Sequence, residues 1–166
     1  MKKIWRSFEM NHQISRRWFL PLAAFLFLLS LTGRAASAEA PSAIATVQKA
    51  NGVSTVVREG RPVPARIGLE IWENDTLRTG PDGSIGVVFN DETQLSLGPE
   101  SNLVIDRFVF APRKGKFSIV IRMLRGTAVY LSGLISKLAP QAARFETPSA
   151  SIGMRGTKFA VKIGGR

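Results

Sequence analysis

The sequence predicts an all-β fold, a single small domain of about ten short strands behind an N-terminal leader. Three observations predict it. Apolar residues alternate with polar ones in short runs, the two-residue period of a half-buried strand. Gly, Pro, Asn and Asp interrupt those runs at roughly 8–12-residue intervals, a spacing that suits a solenoid or roll, or a sandwich. Helical spacing appears after the leader in one stretch alone, near residues 134–138.

The leader occupies residues 1–38. Lys2, Lys3, Arg6, Arg16 and Arg17 make a basic start, and Trp18–Thr32 is almost wholly apolar. Sixteen residues separate Arg17 from Arg34. As a helix they span about 24 Å, short of the ~30 Å hydrocarbon core of a bilayer. Ala36-Ser37-Ala38 then offers a small-residue cleavage site, so the segment reads as a secretory signal cut after Ala38. The competing reading is an uncleaved anchor in the inner membrane. Ser15-Arg16-Arg17-Trp18-Phe19-Leu20 resembles a twin-arginine export signal, with Arg16 and Arg17 as its defining pair.

Residues 39–42 are a short exposed entry, and the β domain runs over 43–163 with a tail at 164–166. Ile44–Val47 and Val53–Val57 flank Asn51-Gly52, which predicts a two-residue hairpin. Glu59-Gly60-Arg61-Pro62 makes the next turn, and Pro62 and Pro64 argue against a central strand there, because each removes a ladder donor. Leu69-Glu70-Ile71 leads to Asn74-Asp75, then Thr76–Arg78 to Gly80-Pro81-Asp82-Gly83. Ile85, Val87 and Phe89 alternate before Asn90-Asp91, and Leu95 and Leu97 before Gly98-Pro99. Leu103 and Ile105 open an apolar stretch to Phe110, and Phe117, Ile119, Ile121 and Met123 alternate after the turn at Ala111–Gly115. Gly126 separates that strand from Ala128–Leu131. Leu134, Ile135 and Leu138 share a helical face that Pro140 ends, a single turn expected to cover an open end of the sheet. The last strand points Phe159, Val161 and Ile163 inward and Lys158, Ala160 and Lys162 outward.

Composition excludes much chemistry. There is no Cys, and the one His is His12, in the leader. Disulfides, Cys or His catalysis and His- or Cys-ligated metals therefore drop out of the mature chain. Asp75, Asp82, Asp91 and Glu92 sit at turns, where carboxylates satisfy local backbone donors. No carboxylate pair, calcium loop or phosphate loop stands out, and Ser136-Lys137 are adjacent rather than one helical turn apart. The expectation is a protein with no enzymatic activity and no cofactor. The whole chain carries a net charge of +11; without the leader 17 basic and 11 acidic residues remain, +6. An exported chain does not meet nucleic acid, so the polyanions in reach are lipid headgroups and envelope polymers.

Phe145-Glu146-Thr147-Pro148, followed by Ile152-Gly153-Met154-Arg155-Gly156-Thr157-Lys158-Phe159, resembles the signature that ends the FecR domain of bacterial envelopes. Asn74-Asp75-Thr76-Leu77-Arg78-Thr79-Gly80 is similar to the family's G-D-x-I-x-T-G, with Asn74 in place of Gly. Gly83-Ser84 to Phe89 with Asp91 and Leu95, and Pro99-Glu100-Ser101-Asn102-Leu103, resemble its next two landmarks. The resemblance covers about residues 44–163. It implies a β-rich periplasmic module that binds another envelope protein: a periplasmic or outer-membrane receptor or an inner-membrane sensor. In familiar members an anti-sigma segment precedes the module. Here only about 17 residues precede the apolar run and the chain ends after the last strand, so the expectation is a free-standing exported interaction module. The alternative is a structural protein that holds anionic envelope polymers.

The motif residues Asp75, Thr79, Gly80, Thr147, Pro148, Arg155, Gly156, Thr157 and Phe159 are the candidate site, in a structural or an interaction role. Pro148 restricts Thr147 to extended backbone, and an Arg between strands is seldom buried unpaired. Arg155 is accordingly expected to bond Asp75 or turn carbonyls, with ligand contact as its other role.

Overall fold

The computed structural model describes residues 42–156 and 158–164. The leader, Arg16, Arg17, Ala38, the first three residues of the entry and Thr157 lie outside the described residues.

Twelve strands form the domain, against about ten expected. They are β1 (Ala45–Asn51), β2 (Ser54–Arg58), β3 (Arg61–Pro64), β4 (Glu70–Ile71), β5 (Thr76–Thr79), β6 (Ser84–Phe89), β7 (Gln94–Leu97), β8 (Asn102–Ala111), β9 (Lys116–Leu131), β10 (Ala143–Glu146), β11 (Ser151–Gly153) and β12 (Lys158–Ile163). A five-residue helix, α1 (Leu134–Leu138), lies between β9 and β10. The main path of the sheet runs β3-β2-β5-β8-β9-β7-β6-β1-β4, with every pair antiparallel. β10 adds to β9 in parallel, β11 pairs with β10, and β12 pairs with the far half of β9. The sheet curls into an open half-barrel, the roll among the three architectures that the periodicity left open.

The curl has a cause in the sequence. β9 is one 16-residue strand, not the two that Gly126 was expected to separate. Its first part, Lys116–Arg125, pairs with β8, and its last, Ala128–Leu131, pairs with β7. Gly126 lies at the bend between them with φ +97°, backbone that favours glycine. A Cβ there would sit 2.7 Å from Ser101 Cβ.

Asn51-Gly52 is likewise a corner and not a hairpin. β1 pairs with β4 and β6, β2 with β3 and β5, and the two never pair with each other. Gly52 does adopt positive φ (+54°), as its position between strands suggested, yet it carries the chain from one half of the sheet to the other. The true two-residue turn is Glu59-Gly60, which sets Arg58 opposite Arg61 with both turn residues at positive φ. Pro62 and Pro64 lie on β3 at the edge of the sheet, where a missing donor costs nothing.

The concave face holds the core. Val56, Leu77, Leu103, Ile105, Ile119, Ile121 and Met123 come from one half and Val47, Val87, Leu95, Leu97 and Tyr130 from the other. Phe159 stacks on Tyr130 at 5.2 Å between centroids and meets Phe145 edge-on at 5.4 Å. This ring cluster ties β12 and β10 to β9, each aromatic pair adding about 0.5–1.5 kcal/mol beyond its area. β12 keeps the expected alternation, and its outward Lys158 and Lys162 charge an edge strand.

The helix closes one end of the sheet with a different face from the one expected. Ile135 and Ser136 are buried, whereas Leu138 is 59% exposed. The reason is Asp91. Its buried carboxylate accepts from Thr93 N (3.1 Å), Thr93 Oγ1 (2.9 Å) and Ile135 N (3.1 Å), and its carbonyl accepts from Leu134 N (2.7 Å). These bonds fix the rotation of α1 at its start.

Candidate functional site

The family-like motifs fall in three places. The first is a ladder of corners where four strands cross between the halves of the sheet. Gly80 N donates to Val53 O (2.7 Å), and Gly80 O accepts from Glu100 N (3.0 Å). Thr79 Oγ1 donates to Gly98 O (2.7 Å) and accepts from Ser101 N (2.9 Å). Ser101 Oγ in turn accepts from Thr127 N (3.0 Å) and lies within donating distance of Gly98 O and Thr127 O (2.9 and 3.1 Å). Gly83 has no room for a side chain, since a Cβ would lie 2.8 Å from Gly80 N. Thr79, Gly80 and Ser101 therefore hold corners 52–53, 79–83, 98–101 and 126–127 in one stack. Their role is cohesion.

The second place is a cleft of about 740 Å³ lined by Ile44, Arg58, Trp72, Glu73, Asp75 and Phe108, among others. Asp75 lies on its floor, 1% exposed. Arg58, not Arg155, is its partner. Arg58 Nε and Nη2 donate to the two carboxylate oxygens at 3.0 and 2.7 Å, Nη2 also donates to Glu70 O, and the guanidinium lies 3.8 Å over the Trp72 ring. Trp72 N adds a third donor to the carboxylate (2.8 Å). The bond to Asp75 holds the Arg58 guanidinium further above its ordinary value, against burial that lowers it. Asn74, standing where the family pattern has Gly, has φ +69°. Asn tolerates that conformation better than most side chains, which is why the replacement fits. Arg58 and Asp75 spend their polar groups on each other and Glu73 accepts from Phe108 N (3.3 Å), whereas the buried Trp72 Nε1 has no partner among the described residues. No signal in spacing could have found Arg58, which lies 17 residues from Asp75 on another strand.

The third place is the C-terminal signature, and it is at the surface. Thr147-Pro148-Ser149-Ala150 turns β10 into β11. Thr147 Oγ1 accepts from Ala150 N (3.0 Å) and lies 3.1 Å from Ala150 O. β11 is exposed along its length, and Ile152 is 36% exposed. Met154 tucks under the sheet, Arg155 and Gly156 stand exposed, and Phe159 returns to the ring cluster. Arg155 makes no ion pair or side-chain hydrogen bond among the described residues, so its expected pairing with Asp75 is corrected. Gly156 has φ +59° with open space around it. Asp75, Thr79 and Gly80 belong to the fold's interior, whereas Thr147, Pro148, Arg155 and Gly156 form an outward surface.

Residues 75–166, over half of the chain, match the family described as FecR protein. The chain belongs to the FecR family. The match starts at Asp75, so residues 44–74 of the sequence resemblance lie outside it. β1 and β2 nonetheless build into the FecR sheet through β6 and β5. No curated protein and no solved structure matches the chain. Among the described residues of this FecR protein, no helix is long and apolar enough to cross a membrane and no group of three or more His, Cys, Asp or Glu could hold a metal ion.

Proposed function

We propose that this FecR protein is an exported periplasmic interaction module with a signalling or regulatory role in the cell envelope, and that it acts by binding another envelope protein without catalysis. Family membership supports the setting. The observation that carries the reading is the split of the motif residues: those of the interior hold the sheet together, while among the described residues the Thr147–Ala150 turn and β11 bond within their own hairpin, and Arg155 and Gly156 stand exposed beside it. The buried carboxylates Asp75 and Asp91 each accept three donors, which supports a structural role for both. Export by the twin-arginine route and cleavage after Ala38 complete the proposal and place Glu39 at the mature N-terminus.

The test is photo-crosslinking in living cells. A photoreactive residue at Ser149, on the exposed turn, is expected to give a discrete adduct with one envelope protein. The same group at Gln94, on the opposite half of the sheet, is expected to give none. Equal adducts at both positions, or none at either, would overturn the reading. So would turnover of a peptide, ester, phosphate or glycan that follows the purified protein and vanishes on a point substitution.

A further inference from the structure

The two halves of the curled sheet present outer faces of different chemistry. On the half built from β2, β5, β8, the first part of β9 and β10, five exposed arginines point outward: Arg78, Arg107, Arg122, Arg125 and Arg144. The register fixes their layout. Arg107 and Arg144 flank Val120, Arg122 lies between Val104 and Glu146, and Arg78 and Arg125 flank Asn102. With about 4.8 Å between strands, the flanking pairs stand about 10 Å apart on a rigid surface. A bulge at Asp106 puts Asp106 and Arg107 together on this face. On the other half the outward residues of β6 and β7 are uncharged: Ser84, Gly86, Val88, Gln94 and Ser96.

We infer that the arginine face is a docking surface for a folded envelope protein that presents Asp and Glu side chains, continuous with the signature hairpin. Continuity is a matter of register, since Arg144 pairs with Gly153 and Glu146 with Ser151 of that hairpin. The planar guanidinium fork binds carboxylates bidentately, and Arg is enriched at protein interfaces where Lys is depleted. Two further features favour a protein over a uniformly anionic polymer. Asp106 and Glu146 lie within the face, and Asp106 already holds Arg122. They repel an unbroken run of negative charge but match a surface of mixed sign. Val104 and Val120, half-buried between the arginines, supply apolar contact that a hydrated polymer does not use.

The inference rests on the protein-binding reading above, and its test separates the two. A photoreactive residue at Val104, in the middle of the face, is compared with the one at Ser149. A discrete protein adduct is expected at both positions, and the partner peptide joined at Val104 should be rich in Asp and Glu. The triple variant Arg78→Ala, Arg125→Ala, Arg144→Ala should cut the Val104 adduct about tenfold. Lys49→Ala, Lys158→Ala, Lys162→Ala, with the same change in charge, should leave it within about twofold. The matching triple Arg→Lys variant keeps the charge and loses the fork, so it guards against a folding defect and should still lose several-fold. An adduct at Ser149 with none at Val104, or equal losses in the arginine and lysine variants, overturns the arginine face alone. No adduct at either position overturns protein binding itself. Arginine-dependent flotation of the purified exported protein with phosphatidylglycerol vesicles would assign the face to lipid instead.

Discussion

At the scale of single residues, the Arg58–Asp75 pair is the most consequential contact. Asp75 is buried and accepts three donors, two of them from a cation that also stacks on Trp72. Removing Arg58 leaves a buried carboxylate with one backbone donor, at a cost of about 3–5 kcal/mol. Arg58→Ala and Asp75→Ala are each expected to lower the thermal midpoint strongly, and the double variant should lose less than the sum. Arg155→Ala should stay within about 0.5 kcal/mol, since Arg155 is exposed. Differential scanning calorimetry of the four proteins checks this. Tyr130 gives a second expectation. Burial pushes its phenol up from the ordinary value, with the hydroxyls of Thr93 and Ser136 opposing, and its own hydroxyl makes no hydrogen bond of good geometry. The folded phenol thus titrates above the unfolded one. Its contribution to stability is complete below about pH 10 and is lost as pH rises through the folded value. Tyr130→Phe should behave like the wild type near neutrality and keep more stability at alkaline pH. As the chain's one tyrosine, its tyrosinate absorbance follows the titration directly.

At the scale of elements, the corners decide the shape. Gly126→Ala adds a Cβ at positive φ against Ser101, and destabilisation by several kcal/mol is expected. Gly153→Ala, with open space around it and ordinary φ, should change the midpoint little. Urea unfolding of both variants tests the contrast. The strands themselves were legible in the sequence, because one face of each is buried and the two-residue alternation records that burial. What alternation cannot record is which strand pairs with which. Asn51-Gly52 carries the local chemistry of a hairpin turn, and the same chemistry serves a corner. Gly126 interrupts the apolar pattern whether the strand stops or bends. Leu138 illustrates a further limit. Its spacing suits a buried face, but the rotation of α1 is set by Asp91, 44 residues from the donor at Ile135. In the candidate site the motif residues, Ser101 among them, were identifiable, while the pairing of Arg58 with Asp75 and the stapling role of Ser101 came from side-chain contacts and the arginine face from register.

At the scale of the whole molecule, the leader gives the test of the proposed export. If Arg16 and Arg17 are read as a twin-arginine pair, replacing both by Lys keeps the charge and should block export, because that pathway recognises the guanidinium pair. Fractionation of the envelope with N-terminal sequencing would read this out, with Glu39 as the first residue of the exported wild type. Normal export of the double-lysine protein would make the leader an ordinary secretory signal.

The two-sided role of β9 acquires another meaning when the chain is considered in time. β1 is made early, yet its partner β6 follows more than thirty residues later, and no strand pairing joins the two halves of the sheet until β9 emerges. Until then β7 and β8 each present an unpaired edge, the kind of surface that recruits other nascent chains. At about 5–20 residues per second of synthesis that interval lasts seconds. If the chain folds before export, as the twin-arginine reading has it, the half-made sheet needs shelter for that long, and a truncation ahead of β9 is expected to leave an aggregation-prone fragment.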